Sequence, residues 1–279
     1  MSSFKHDGHR LVYMSYGEGR RTVVLLPGLL FSQKMHLPLA RALAERGQRV
    51  VTLDLLGHGR SDRPRDMAQY SMVQFAGQVV ALLDHLELDQ AVVGGTSLGA
   101  NVSLEVAAAA PERLRGMVIE MPVLDNALLA CAIAFTPLMI GLTFGAPLWR
   151  IVGAAARLVP QRLVPFWADV GLDWVRQDPE PSAAVLNGLF FGRTAPPKSE
   201  RATLETKALV IGHQRDPIHP FSDAGNLVKE LPDARLVVAE SLVELRLTPE
   251  RLTTEIASFV DECWAPKRAS ARKPRRRAS

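Results

Sequence analysis

Apolar residues follow two rhythms along this chain. Short, almost unbroken apolar runs of strand length recur: Thr22–Leu26 (TVVLL), Arg49–Asp54, Ala91–Gly94, Gly116–Glu120, Lys207–Ile211 and Arg235–Ala239. A run with no polar alternation is a strand buried on both faces. Between these runs the apolar residues fall at helical spacing. Gln33–Arg46 predicts a helix stopped by Gly47. Ser71 heads another that reaches about Leu86, with Met72, Phe75, Val79, Leu82 and Leu83 on one side. Leu98–Ala109 and Pro249 to about Glu262 complete the set, and Arg10–Ser15 reads as an early strand. Strand–helix alternation predicts a parallel sheet covered by helices on both faces.

From Pro122 to about Ala202 the alternation stops. This stretch is rich in Leu, Ala and Pro and has no clear strand, so it is expected to be an insertion into an otherwise regular domain. Residues 126–149 carry no charge and are long enough to cross a bilayer. Pro137, Gly141, Gly145 and Pro147 interrupt them, however, which points to an apolar lid over a soluble core. Membrane contact is not expected on this reading.

Composition changes the picture in three places. A length of 279 residues with 47% apolar content is ample for a sizeable core. Cys131 and Cys263 offer neither a disulfide framework nor metal-ligand spacing, which fits a cytoplasmic protein. The formal charge of +4 belongs to residues 267–279 (KRASARKPRRRAS), which hold seven Lys/Arg and no acid. Without them the body is net acidic; the tail reads first as a solvated, disordered segment that aids solubility, with contact to nucleic acid or anionic lipid as the alternative, and no specific nucleic-acid partner is expected. No apolar segment marks the N-terminus as a signal peptide.

The candidate chemistry centres on Val92-Val93-Gly94-Gly95-Thr96-Ser97-Leu98-Gly99-Ala100. A buried strand ends, small residues permit a sharp reversal, and a helix begins. Ser97 then sits at the tip of the turn with its hydroxyl outward and a helix N-terminus behind it. The glycines do not form a dinucleotide fingerprint, and there is no phosphate loop, no H-E-x-x-H and no Cys/His cluster, so no cofactor and no metal are expected.

With three further motifs, the chain resembles the α/β-hydrolase superfamily over residues 10–262. Those motifs are Leu25-Leu26-Pro27-Gly28-Leu29-Leu30, Asp54-Leu55-Leu56-Gly57-His58-Gly59-Arg60-Ser61 and Gly212-His213-Gln214-Arg215-Asp216-Pro217-Ile218-His219-Pro220. The resemblance implies an α/β fold: a mostly parallel, doubly wound sheet with a helical cap inserted after the sixth core strand. Residues 1–121 and 203–264 would form the core, 122–202 the cap and 265–279 the tail. It implies Ser97 as nucleophile, the backbone N–H groups of Leu98 and Leu29 as oxyanion hole, and Asp216 as triad acid, with Glu120 as a second acid slot.

The pattern departs from the family at one place. The family's histidine follows the last core strand, in a Gly-His pair before the final helix. Here Ser241-Leu242 occupy that slot, and no histidine occurs after His219. The substitute bases are His219, three residues past the acid, and His36, early in the helix after the oxyanion loop. His213 and His58 read as loop residues, and Glu240 and Glu244 as solvated carboxylates beside the vacant slot. The resulting expectation is a serine hydrolase cleaving an ester, thioester or similar acyl bond of an apolar or aromatic small molecule, with Ala127–Trp149 and Leu158–Trp167 lining or shielding the pocket. The alternatives are a relative that binds a small apolar ligand or a partner without turnover, and a membrane-associated lipid enzyme.

Overall fold

The computed structural model describes residues 1–265; the basic tail lies outside them. Eight strands form one sheet: β1 (Ser2–His6), β2 (His9–Tyr16), β3 (Thr22–Leu26), β4 (Arg49–Asp54), β5 (Ala91–Thr96), β6 (Leu114–Glu120), β7 (Ala208–His213) and β8 (Ala234–Ala239). Their order is β1-β2-β4-β3-β5-β6-β7-β8. β1 and β2 pair antiparallel at one edge, and every pairing from β4 to β8 is parallel.

The parallel strands send alternate side chains to two layers. Val23 and Leu25 of β3 face a core shared with α1 (Leu37–Glu45) and α11 (Glu250–Trp264), where Leu43, Leu252, Ile256 and Phe259 are buried. Val24 and Leu26 face the other layer, against α2 (Met72–His85) and α3 (Leu98–Ala109). The Ser71 side chain caps α2 by accepting from Gln74 N at 3.2 Å. Gln33–His36 is a 3₁₀ turn leading into α1, because Pro38 suits the first turn of an α-helix but not its interior. β1 has no counterpart in the apolar pattern: only Phe4 of its five residues is buried.

Between β6 and β7 the chain forms α4 (Leu128–Phe144), α5 (Ala146–Leu158), α6 (Phe166–Val175), α7 (Pro179–Phe190) and the short α8 (Lys198–Arg201), with no strand. α9 (Phe221–Glu230) follows β7, and the one-turn α10 (Glu244–Leu247) follows β8. No single helix among the described residues is long and apolar enough to cross a membrane; α4 and α5 meet at an angle of 94°. The bend falls at Gly145, where a Cβ would come within 2.5 Å of the Gly141 carbonyl.

Two histidines, His36 and His58, are buried and neutral. Burial pushes both His36 and His58 down to about 4, helped by the fields of Arg246 and Arg63 respectively. In the unfolded chain each binds a proton below its ordinary 6.5. Their contribution to stability is therefore complete above pH 6.5 and is lost as pH falls toward 4. Unfolding near pH 5 is expected to take up almost two protons at these sites, a slope of about 2.5 kcal/mol per pH unit. Urea melts between pH 7 and pH 4.5 check this; a midpoint unchanged across that range would refute it.

Candidate active site

β5 ends at Thr96, and Ser97 turns the chain with φ 54° and ψ −108°, a conformation that costs a non-glycine residue on the order of 1–3 kcal/mol. Packing holds it there. A Cβ on Gly95 or Gly99 would lie 2.3 or 2.2 Å from the Leu26 carbonyl oxygen, so both positions require glycine for β3 to approach the turn. Ser97 N donates to the Glu120 carbonyl at 2.9 Å, which pins the turn to the end of β6.

His219 meets Ser97. Its Nε2 lies 2.9 Å from Ser97 Oγ, and its Nδ1 lies 2.8 Å from Asp216 Oδ2. A carboxylate only accepts, so Nδ1 carries the proton and Nε2 is free to accept from the serine hydroxyl. The acid and the histidine are three residues apart on one tight loop after β7. Asp216 Oδ1 accepts the backbone N–H groups of Ile218 (2.8 Å) and His219 (2.9 Å), an Asx turn that fixes the loop. Pro217 and Pro220 restrict φ on either side. Burial works against the ionised Asp216, but the hydrogen bonds from the His219 ring and backbone outweigh it and hold the carboxyl below its usual range.

His36 is not part of this constellation. Its ring is buried, and Nε2–H donates to the Leu26 carbonyl at 2.7 Å. His58 likewise donates Nδ1–H to Leu56 O at 2.9 Å. His213 donates Nδ1–H to the Ser241 carbonyl at 2.9 Å, and its Nε2 stands 3.5 Å from Glu120 Oε1, an ion-pair distance beyond a good hydrogen bond. Burial disfavours its charged form, yet the Glu120 carboxylate prevails and raises its pKa. Glu240 is exposed, whereas Glu244 is buried and paired with Arg251 at 2.8 Å. Leu242, in the slot where the family's histidine would stand, is partly exposed.

Glu120 is engaged elsewhere. Arg246 of α10 grips it with two bonds of 3.0 and 2.7 Å, and Thr96 Oγ1 donates to it as well. Burial alone would raise this carboxyl, but Arg246 drives it far below the normal carboxylate range. The pair lies against the end of β5, bonded to Thr96, next to the Glu120 carbonyl that holds Ser97 N.

The loop after β3, Gly28–Phe31, is a turn closed by Phe31 N donating to Gly28 O at 3.0 Å, with Leu30 at φ 64°. Leu98 is the first residue of α3, so its N–H has no partner within the helix. Leu29, Ser97 and Leu98 together line a cavity of about 270 Å³. Its other walls are mostly apolar, with Met72, Val123, Leu128, Cys131, Ala132 and Phe135, closed by Leu186, Leu189 and Phe190 of α7; Asn101 and Thr194 are the polar exceptions. The apolar wall expected from Leu158–Trp167 is not there. Arg157–Leu163 is exposed throughout, and α7, packed on α4, supplies that side instead. Burial raises the Cys131 thiol to about 11, so it is a neutral wall residue.

Two anchors of this chamber carried no sequence signal. Asn101, one turn past Ser97, donates to Val123 O (2.7 Å) and Thr194 O (2.8 Å) and accepts from Val123 N (3.0 Å). It thereby ties both ends of the helical block to α3. Asp223 accepts the N–H groups of Leu124 (2.9 Å) and Ala127 (3.0 Å), fixing the approach to α4. A lone Asn in a helix, or Asp223 in the first turn of α9, has too many ordinary uses to be singled out from sequence.

Comparisons with known proteins agree with this architecture. Residues 21–140 match the family model of the alpha/beta hydrolase fold. A 2-hydroxymuconate semialdehyde hydrolase of Pseudomonas sp. strain CF600 is 40% identical over 74 residues, 26% of each chain. A hydrolase of Bacillus subtilis strain 168, YugF, is 33% identical over 120 residues, 42% of each chain. The matched stretch thus spans well under half the length of these relatives. The solved enol-lactonase of Burkholderia xenovorans LB400 superposes with a TM-score of 0.76 at 20% identity, covering 93% of this chain and 100% of that one. Sheet order, strained serine turn and these matches agree: the chain has the α/β-hydrolase fold.

Proposed function

We propose that this chain is a serine hydrolase of ester-type acyl bonds in an apolar small molecule, with Ser97 as nucleophile, His219 as general base and Asp216 as the acid that orients it. The observation that carries this reading is the continuous relay of 2.9 Å from Ser97 Oγ to His219 Nε2 and 2.8 Å from Nδ1 to Asp216. His219 takes the hydroxyl proton as Ser97 attacks the carbonyl carbon, and the imidazolium is stabilised by Asp216. The Leu98 and Leu29 N–H groups receive the developing oxyanion. His219 then returns the proton to the leaving oxygen or sulfur, and water repeats the cycle on the acyl-serine. The helical block 122–202 acts as the cap, and its apolar wall selects an acyl or aromatic substituent. The base reaches the serine from the acid loop, so the chain has a complete triad without a histidine after β8.

A fluorophosphonate probe tests this. It is expected to label the wild-type chain rapidly at Ser97 and to lose labelling in both Ser97→Ala and His219→Ala. Labelling of the wild type no faster than of Ser97→Ala would leave a binding protein on a hydrolase scaffold.

A further inference from the structure

α4 is apolar on every side, yet it lies at the surface. Its inner side, with Leu128, Cys131, Ala132 and Phe135, lines the cavity beside Ser97. Its outer side presents Leu129, Ile133, Ile140 and Phe144 to solvent at helical spacing, and Phe144 is 81% exposed. α5 repeats this with Leu148, Ile151, Val152 and Leu158. A helix without a polar face is normally buried, and a contiguous exposed apolar surface of this kind marks an interaction site.

The charges around this surface indicate what covers it. From Asn126 to Ala168 the chain has no Asp or Glu, and it has three arginines: Arg150, Arg157 and Arg162. Arg150 is engaged by Glu180 of α7. Arg157 and Arg162 have no carboxylate partner among the described residues, and they flank Leu158 (83% exposed) and Leu163 (72% exposed) in a run, Arg157–Leu163, that is exposed throughout. A second copy docking face to face would bring these arginines together with no acid from 126–168 to receive them. An anionic lipid surface supplies both an acyl phase for the leucines and headgroup charge for the arginines.

We infer that α4, α5 and the Arg157–Leu163 tip dock this protein on anionic phospholipid membranes as a peripheral, non-spanning contact. The helix α4 also walls the cavity, whose lining residues Leu128 of α4 and Phe190 of α7 are each about half exposed. Docking there would bring an apolar molecule dissolved in the membrane to the helix that walls the chamber beside Ser97. This exposure runs against the sequence pattern, which argues for α4 as a lid folded onto a soluble core. Docking is independent of the chemistry at Ser97, so the two proposals fail separately.

Flotation of the full chain with vesicles tests the docking. Phosphatidylcholine vesicles are expected to bind weakly, and vesicles with about a quarter phosphatidylglycerol strongly, with binding reduced by high salt. Arg157→Gln with Arg162→Gln is expected to weaken anionic binding roughly 20-fold or more. Leu158→Glu with Leu163→Glu is expected to weaken it at least about tenfold. These four residues are absent from the cavity wall, so turnover of a soluble short-chain ester should stay at the wild-type value; the melting temperature should hold in Leu158→Glu with Leu163→Glu, while Arg157→Gln gives up a bond to the Arg176 carbonyl. Three results would overturn the inference: no wild-type binding to anionic vesicles; unchanged binding in both double variants, which would assign it to the basic tail; or a vesicle-free dimer that Leu158→Glu with Leu163→Glu dissociates.

Discussion

His219→Ala is expected to lower kcat/KM for an activated apolar ester by about four to six powers of ten, as loss of a triad base does in serine hydrolases generally. The serine hydroxyl is protonated at neutral pH and has no other imidazole within reach. His36 is committed to the Leu26 carbonyl and His213 to the Ser241 carbonyl. What survives should be the contribution of the oxyanion donors and of substrate binding. Leu242→His in the otherwise wild-type chain should give no comparable gain, because Ser97 Oγ already has its partner at 2.9 Å. Residual activity of His219→Ala within tenfold of wild type would show that a different group serves the serine. A large gain from Leu242→His would show that the relay from the β7 loop is not productive.

The second large effect falls on stability. Arg246→Ala is expected to cost about 3–5 kcal/mol, because it removes the two guanidinium bonds to a buried carboxylate and leaves only the His213 ring as a possible counter-charge. Glu120 is 2% exposed and keeps only Thr96 and a distant His213 ring. The loss should appear as a lower urea midpoint at unchanged slope. Activity should also fall, because Glu120 carries the carbonyl that holds Ser97 N. Adding Glu120→Gln to Arg246→Ala should restore much of the stability, since a neutral amide in that site costs far less than an unpaired charge. If the single variant melts as wild type does, the ion pair contributes no net stability and Glu120 takes up a proton readily.

Much of the fold was legible because its signals are local. β3, β4 and α3 occupy the ranges that their apolar runs predict, and Ser71 caps α2. A strand covered on both faces needs an unbroken apolar run, and few other structures tolerate one. The helical block was harder to read. Its all-apolar α4 has no periodic face, so the pattern could not separate lid, bilayer span and surface helix. The wall beyond α4 was misplaced for the same reason: which helix closes the chamber depends on how α7 packs on α4, not on the apolarity of 158–167.

The sequence by itself determined the strand–turn–helix at Ser97 and the strand–helix alternation of a parallel sheet, since each is written in neighbouring residues: glycines that let β3 approach, a strand before, a helix after; the order of the strands came only from the fold. It also named His219 and His36 as equals. Only the tertiary structure separated them, by bringing the β7 loop over α3 and turning His36 inward to a carbonyl. Distances between residues 122 positions apart follow from the packing of whole layers, and no local pattern encodes them. The same holds for Arg246, which looks like one surface arginine among many until the fold lays it across Glu120.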